Sequence, residues 1–162
     1  MLFYDLFVRS VFHSAYAITG NENEAEEITQ DTMLKVFVRT ELLHNEAEAM
    51  ERILRRIAIN AAIDVVRRRK EFVFVEEDIP NTEAPDEEDE YDFSIDEIKE
   101  AVALLPDIYR SVLLLRLFEK MNFSEIADLL RVNASSVRVQ YTRGITKLKN
   151  ILIQKNNERK MD

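Results

Sequence analysis

Cysteine is absent from this 162-residue chain, which excludes disulfides, thiolate metal sites and thiol chemistry. Glycine occurs twice and proline three times, so there is no glycine-rich loop to cradle a phosphate. No stretch approaches membrane-spanning length. The N-terminus lacks a charged segment followed by a long apolar core, so a cytoplasmic protein with no membrane insertion is expected. His13 and His44 have no partners at metal-ligand spacing and read as ordinary helix and loop residues. No nucleophile–base pair appears either, and the expectation is a protein that is not an enzyme, without metal or cofactor. What is abundant is Leu, Ile, Val, Glu and Arg, which with so few chain breakers predicts an all-α fold.

The net charge of −9 is divided unevenly along the chain. Glu71 to Glu97 holds thirteen acidic residues and no Lys or Arg, while the rest has 22 basic against 18 acidic. From Arg131 onward there are eight basic residues and two acidic ones. The acidic segment includes Pro80 and Pro85 and cannot bury enough apolar surface to fold alone, so it reads as a linker. Residues 1–70, 71–97 and 98–162 are then one helical domain, an acidic flexible tether and a second helical domain. An inert solubilising tether and an imitation of nucleic acid lying in a partner's positive groove are both open. Extended, roughly 27 residues at about 3.3 Å each reach about 90 Å.

Leu104 to Leu152 reads as two short helices, a tight turn and a long basic helix. Pro106 opens the first, with Ile108, Val112, Leu113, Leu115 and Phe118 as core contacts. Asn122-Phe123-Ser124-Glu125 fits a capping box, and Ile126, Ala127, Leu129 and Leu130 follow as a short brace helix. The turn falls at Arg131-Val132-Asn133, where Asn133 is a good N-cap. At 100° per residue, Val137, Tyr141, Gly144, Ile145, Leu148 and Leu152 share the core arc. Ser135, Arg138, Val139, Thr142, Arg143 and Thr146 face outward. Arginine pairs bidentately with guanine, and small hydroxyls let a helix approach closely. A solvated surface helix explains the long helix alone; the brace helix and turn before it favour a DNA-reading helix-turn-helix.

In the N-terminal module a first helix from about Phe3 to Ile18 closes at Gly20. Asn21 caps the next, with Glu24 at its third position. Ala25, Ile28, Thr32, Val36 and Phe37 form its inward stripe; Glu27, Gln30, Asp31, Leu34 and Val38 form a second, partly apolar arc. That arc is either a docking surface or a contact with a neighbouring helix of the same domain. The third helix, from about Ala49 to Lys70, buries Ile53, Leu54, Ile57, Ala58, Ala61, Val65 and Val66. It carries Arg52, Arg55 and Arg56 and ends in Arg67-Arg68-Arg69-Lys70. That run suits a phosphate backbone, and it also suits the helix dipole.

Three stretches together resemble a bacterial extracytoplasmic-function (ECF) RNA polymerase sigma factor of the sigma-70 family. Asn23 to Phe37 (NEAEEITQDTMLKVF) is similar to region 2.2. Leu54 to Arg68 (LRRIAINAAIDVVRR) is similar to regions 2.3 and 2.4. Leu105-Pro106-Asp107-Ile108-Tyr109-Arg110, through Glu125-Ile126-Ala127 to Lys147 and Lys149, is similar to region 4. The resemblance implies promoter recognition and strand opening, with core RNA polymerase doing the chemistry. Glu27, Gln30, Asp31, Leu34 and Val38 would dock on the β′ clamp helices. Arg52, Arg55, Arg56, Asn60, Asp64, Arg67 and Arg68 would lie at the −10 element, with the melted strand held partly by the loop from Arg39 to Glu48. Ser135, Ser136, Arg138, Val139, Thr142, Arg143 and Lys147 would read the −35 element. The linker would thread the RNA exit channel, region 4 would approach the β flap, and an anti-sigma factor would be the regulator.

Departures from the family pattern are visible. Ile53-Leu54 stands where a Trp-Leu pair is common, and the loop Thr40 to Glu48 is acidic and has no aromatic. Arg131 occupies a position usually held by glycine, so left-handed strain or a different bend is expected. Gln140 replaces a frequent arginine, an expectation of fewer phosphate contacts. A rival reading is a helix-turn-helix regulator that binds DNA without polymerase; it expects Leu34 and Val38 to be buried.

Overall fold

A computed structural model of the chain describes residues 2–39, 46–69 and 92–161. Every regular element among them is helical, and none is long and apolar enough to cross a membrane. The strand-capture loop expected from Arg39 to Glu48 lies outside the described residues from 40 to 45. So does most of the acidic segment, together with Lys70. The chain divides into two compact units, Met1–Lys70 and Glu71–Asp162.

In the first unit α1 (Leu2–Thr19) packs against both α2 (Glu22–Val38) and α3 (Ala47–Arg67). Phe7, Val11, Ala15 and Ile18 recur every three or four residues and are buried, as one face of a helix requires. Gly20 takes φ 64°, and its N–H donates to the Tyr16 carbonyl at 2.8 Å, so α1 ends in a left-handed glycine. Asn21 then caps α2, accepting the Glu24 N–H at 3.0 Å. The Glu24 carboxylate does not reach back to the cap; it takes the Arg69 guanidinium, which also donates to the Thr19 carbonyl at 2.8 Å. Arg69 thus ties the end of α3 to the α1–α2 turn.

Two stripes differ from expectation. Phe37 is half exposed, and Thr29 and Met33 join Ala25, Ile28, Thr32 and Val36 in the core. On α3 the buried set is Met50, Leu54, Ala58, Ile59, Ala62, Ile63 and Val66, whereas Ile53, Ile57, Ala61 and Val65 are only partly covered. Met50, Leu54, Ala58, Ala62 and Val66 are spaced by four, so the stripe winds about 40° per step around a helix of 3.6 residues per turn. A helix covered by two neighbours buries such an oblique stripe. α3 is apolar on most sides, and its sequence alone does not choose the phase.

The second unit begins earlier than the sequence implied. Helix α4 (Ile95–Ala103) starts inside the segment read as linker up to Glu97. Ser94 and Glu97 close a complete capping box: the Glu97 N–H donates to Ser94 Oγ at 3.2 Å, the Ser94 N–H to Glu97 Oε2 at 2.8 Å. Asp96 and Glu97 belong to the first turn of that helix, where carboxylates favour the positive end of its dipole. Helix α5 (Asp107–Leu113) follows Pro106 and passes into a π-helical turn, Leu114–Phe118. Arg110 is buried, yet it is satisfied by Asp107 at 2.5 Å and the Leu105 carbonyl at 3.3 Å. Lys120, at φ 56°, reverses the chain into α6 (Phe123–Leu130), and α7 (Ala134–Met161) completes the unit. α7 packs on α4, α5 and α6 through Val137, Gly144, Leu148 and Leu152.

Candidate nucleic-acid interface

The turn between α6 and α7 decides which face of α7 is open. Asn122 and Glu125 form the expected capping box, at 2.8 Å and 3.3 Å, and fix where α6 starts. Arg131 sits in the left-handed region, φ 58° and ψ 46°, and the Val132 N–H closes back on the Ala127 carbonyl at 3.0 Å. Asn133 Oδ1 accepts the Ser136 N–H at 2.9 Å, capping α7 as the sequence predicts. With the start fixed and Val137 buried, Ser135, Arg138, Val139 and Thr142 lie in solvent on the opposite side. Ser136, Arg143, Thr146 and Lys147 are half-buried along the flanks.

The exposed hydroxyls are held in known directions. Ser135 Oγ donates to Asn133 Oδ1 at 2.8 Å; Thr142 Oγ1 donates to the Arg138 carbonyl at 3.0 Å; Thr146 Oγ1 donates to the Thr142 carbonyl at 3.1 Å. Each hydroxyl keeps lone pairs outward and a small profile, which lets the helix approach a groove closely. The Arg138 guanidinium lies 5.8 Å from the Phe123 ring centre, and Lys147 Nζ lies 5.2 Å from that of Tyr109. Gln140 departs from expectation: it is 5% exposed, so it is part of the packing of α7 and not a phosphate-facing position.

In the first unit Arg52, Arg56, Asn60, Asp64 and Arg68 follow one stripe of α3 at a spacing of four, and Arg55 leaves it. Asn60 is exposed on α3, and Asp64, one turn on, pairs with Arg67 at 2.7 Å. Arg52, Arg56 and Arg68 are exposed, whereas the half-buried Arg55 turns to α1 and donates Nε to Ser14 Oγ at 3.3 Å. Asn60 and Asp64 line a groove of about 330 Å³ with Ile57 and Ala61 from α3 and Lys35 and Arg39 from the end of α2. Sequence reasoning missed those two cations, because only the α2–α3 packing brings them to Asn60. Ile57 and Ala61 give the groove an apolar part, and Lys35, Arg39, Asn60 and Asp64 give it charged and polar groups.

Glu27, Gln30, Asp31, Leu34 and Val38 are all exposed on α2. Leu34 is 62% and Val38 81% open, and Phe37 adds a third apolar side chain beside them. Among the described residues no group of three or more His, Asp or Glu is placed to hold a metal ion.

Comparisons with known proteins agree with this arrangement. The family model for sigma-70 region 2 matches residues 3–72, and that for sigma-70 region 4 matches residues 95–148. The chain is 24% identical over 153 residues to the ECF RNA polymerase sigma factor SigW of Bacillus subtilis, covering 86% of this chain and 81% of that one. It is 25% identical to the RNA polymerase sigma factor SigV of the same organism, over 90% of this chain and 86% of the relative. With the ECF RNA polymerase sigma factor SigE of Mycolicibacterium smegmatis the identity is 29%, over 91% of this chain and 59% of that one. In fold it is similar to the sigma factor RpoE of Bartonella quintana, solved in complex with the anti-sigma factor NepR. The TM-score is 0.54 at 17% identity, over 92% of this chain and 93% of that one. Two region models in the right order, and relatives that span both, make this chain a member of the ECF group of the sigma-70 family.

Proposed function

We propose that this chain binds core RNA polymerase and directs it to promoters, with α7 reading the −35 element and α3 meeting the −10 element. The observation that carries the polymerase-dependent reading is the exposure of Leu34 and Val38 among Glu27, Gln30 and Asp31. Apolar side chains left open on an otherwise complete helical unit, with acids beside them, fit a partner surface of basic and apolar character. The β′ clamp helices are the proposed partner. A regulator acting on DNA alone has no use for that strip, and its expectation that Leu34 and Val38 are buried is not met.

On α7, Arg138 and Arg143 are the proposed base readers. Ser135, Ser136, Val139, Thr142 and Lys147 set approach and backbone contacts. On α3, Asn60, with Lys35 and Arg39 across the groove, is the proposed contact for the opened strand. Arg52, Arg56 and Arg68 take phosphates. Arg55 and Arg67 hold Ser14 and Asp64 in the free protein, so the proposal gives them a supporting part. The acidic segment is proposed to lie in the RNA exit channel, region 4 to approach the β flap, and an anti-sigma factor to restrain the free protein. Leu34→Arg tests the core reading: retained helicity with binding to purified core polymerase weakened at least about tenfold is expected. Unchanged binding overturns it.

A further inference from the structure

Two guanidinium groups meet one aromatic ring where α6 begins. Phe123 is the first residue of that helix and is half-buried. The Arg116 guanidinium carbon lies 4.8 Å from its ring centre, and that of Arg138 lies 5.8 Å away. The ring itself is held in place. Tyr141 of α7 meets it edge-on at 5.3 Å and 62°, the adjacent Asn122 is locked in the capping box, and Arg116 Nη1 donates to the Met121 carbonyl at 3.1 Å. Arg138, in contrast, forms no side-chain hydrogen bond or ion pair among the described residues. What its guanidinium meets is this ring.

That asymmetry matters for a base reader. A free arginine side chain carries about 2 kcal/mol of rotamer entropy, which is lost when its fork docks on a guanine. A ring that attracts the guanidinium restricts it before DNA arrives and consumes none of the N–H donors that pair with guanine O6 and N7. An aspartate in the same place would hold the arginine as firmly and spend those donors.

We infer that Phe123 is a positioning residue for −35 recognition: its ring, fixed by Tyr141 and Arg116, presents Arg138 to the major groove. The inference rests on the reading of α7 as the −35 reader. A contact of this exposed type corresponds to about a two- to fivefold effect on discrimination.

The test uses the full chain with core polymerase and a pool of promoter-length duplexes randomised across the −35 position, compared for wild type, Phe123→Leu, Phe123→Tyr, Arg138→Ala and Arg138→Ala with Phe123→Leu. Arg138→Ala is expected to erase preference at one or two base pairs. Phe123→Leu is expected to weaken preference at those same positions about two- to fivefold, Phe123→Tyr to keep it, and the double variant to match Arg138→Ala. A uniform loss across all sequences, or a double variant that falls below Arg138→Ala, overturns the inference. Nitrogen-15 relaxation of the Arg138 Nε in the free protein is the second readout. It is expected to show the side chain more mobile in Phe123→Leu and unchanged in Phe123→Tyr. Equal mobility in all three proteins overturns the platform whatever Arg138 does on DNA, and a lack of any Arg138→Ala effect on preference instead sinks the assignment of Arg138 as a base reader.

Discussion

Arg131 and Lys120 hold two turns of the second unit in the left-handed region, with φ 58° and 56°. An L side chain there costs roughly 1–2 kcal/mol, while glycine loses roughly 0.5–1 kcal/mol more chain entropy on folding. Arg131 is exposed, so Arg131→Gly is expected to stabilise the protein by about 0.5–1 kcal/mol, read as a higher midpoint in urea. A lower midpoint would mean that the Arg131 side chain holds the turn. Asn133 is the opposite case: its side chain accepts from both Ser136 and Ser135, and Asn133→Ala is expected to cost about 1 kcal/mol. The left-handed Lys120 carries no sequence signal and that of Arg131 is expected only from the resemblance, but the Asn133 cap, which depends on four consecutive residues, is legible in the sequence. Gln140 is not. A helical wheel puts it at the edge of the core arc, about 40° from Gly144, and its burial depends on how α7 lies on its neighbours.

At the scale of elements, the clearest surprise is α4. Its first turn looks like the end of a charged tether because it carries Asp96 and Glu97 and exposes Ile95. The signal is present as Ser94-Ile95-Asp96-Glu97, a capping box followed by Ile98, Ala101 and Val102, but dense acid before it masks the change. Glu97 also takes Arg159 from the last turns of α7, and Glu100 faces Lys155 at 3.8 Å. The Ser94 N–H, ahead of the Arg159 guanidinium, holds the Glu97 carboxyl below its ordinary value of 4.5. A depressed carboxylate contributes stability above its unfolded pKa and loses it as pH falls through the folded value. Fraying of α4 is therefore expected only below pH 4.5, and Glu97→Gln is expected to remove that dependence. Amide exchange at Ile98 checks both; fraying that begins above about pH 5 in the unaltered protein would contradict the assignment.

Helix α3 shows the limit of pattern reading from the other side. The sequence predicts a helix and supplies a basic face, but it leaves the buried stripe open because apolar residues surround most of the axis. Leu54, Ala58 and Val66 lie where the pattern puts them, Ile59, Ala62 and Ile63 replace neighbours one or two positions away, and Met50 is added ahead of the stripe. Leu54 is fully buried, and Leu54→Ala is expected to cost about 2–5 kcal/mol by thermal or urea unfolding of the first unit. Ile53→Ala, at a partly covered site, is expected to cost clearly less. The reverse ranking would favour burial through Ile53, Ile57, Ala61 and Val65, which the pattern includes beside Leu54, Ala58 and Val66.

For the molecule as a whole, the plan is two helical units that carry different surfaces. The first exposes an acidic and apolar strip on α2 and a groove beside Asn60; the second exposes the Arg138 face of α7. Residues 3–72 and 95–148 match the two sigma regions and leave the acidic segment between them. The division of charge along the chain makes that plan legible in the sequence: acid in one stretch, base at both recognition helices. The roles of individual side chains are less legible, since Lys35 and Arg39 reach Asn60 only through packing, and Arg55 is drawn away by Ser14. The most direct test of the account is run-off transcription by bacterial core polymerase on a pool of host promoter fragments, with and without this protein. The account predicts transcripts that require the protein and that disappear with Arg138→Ala and Arg143→Ala together. No transcript, from protein that nevertheless binds promoter DNA by itself, would contradict it.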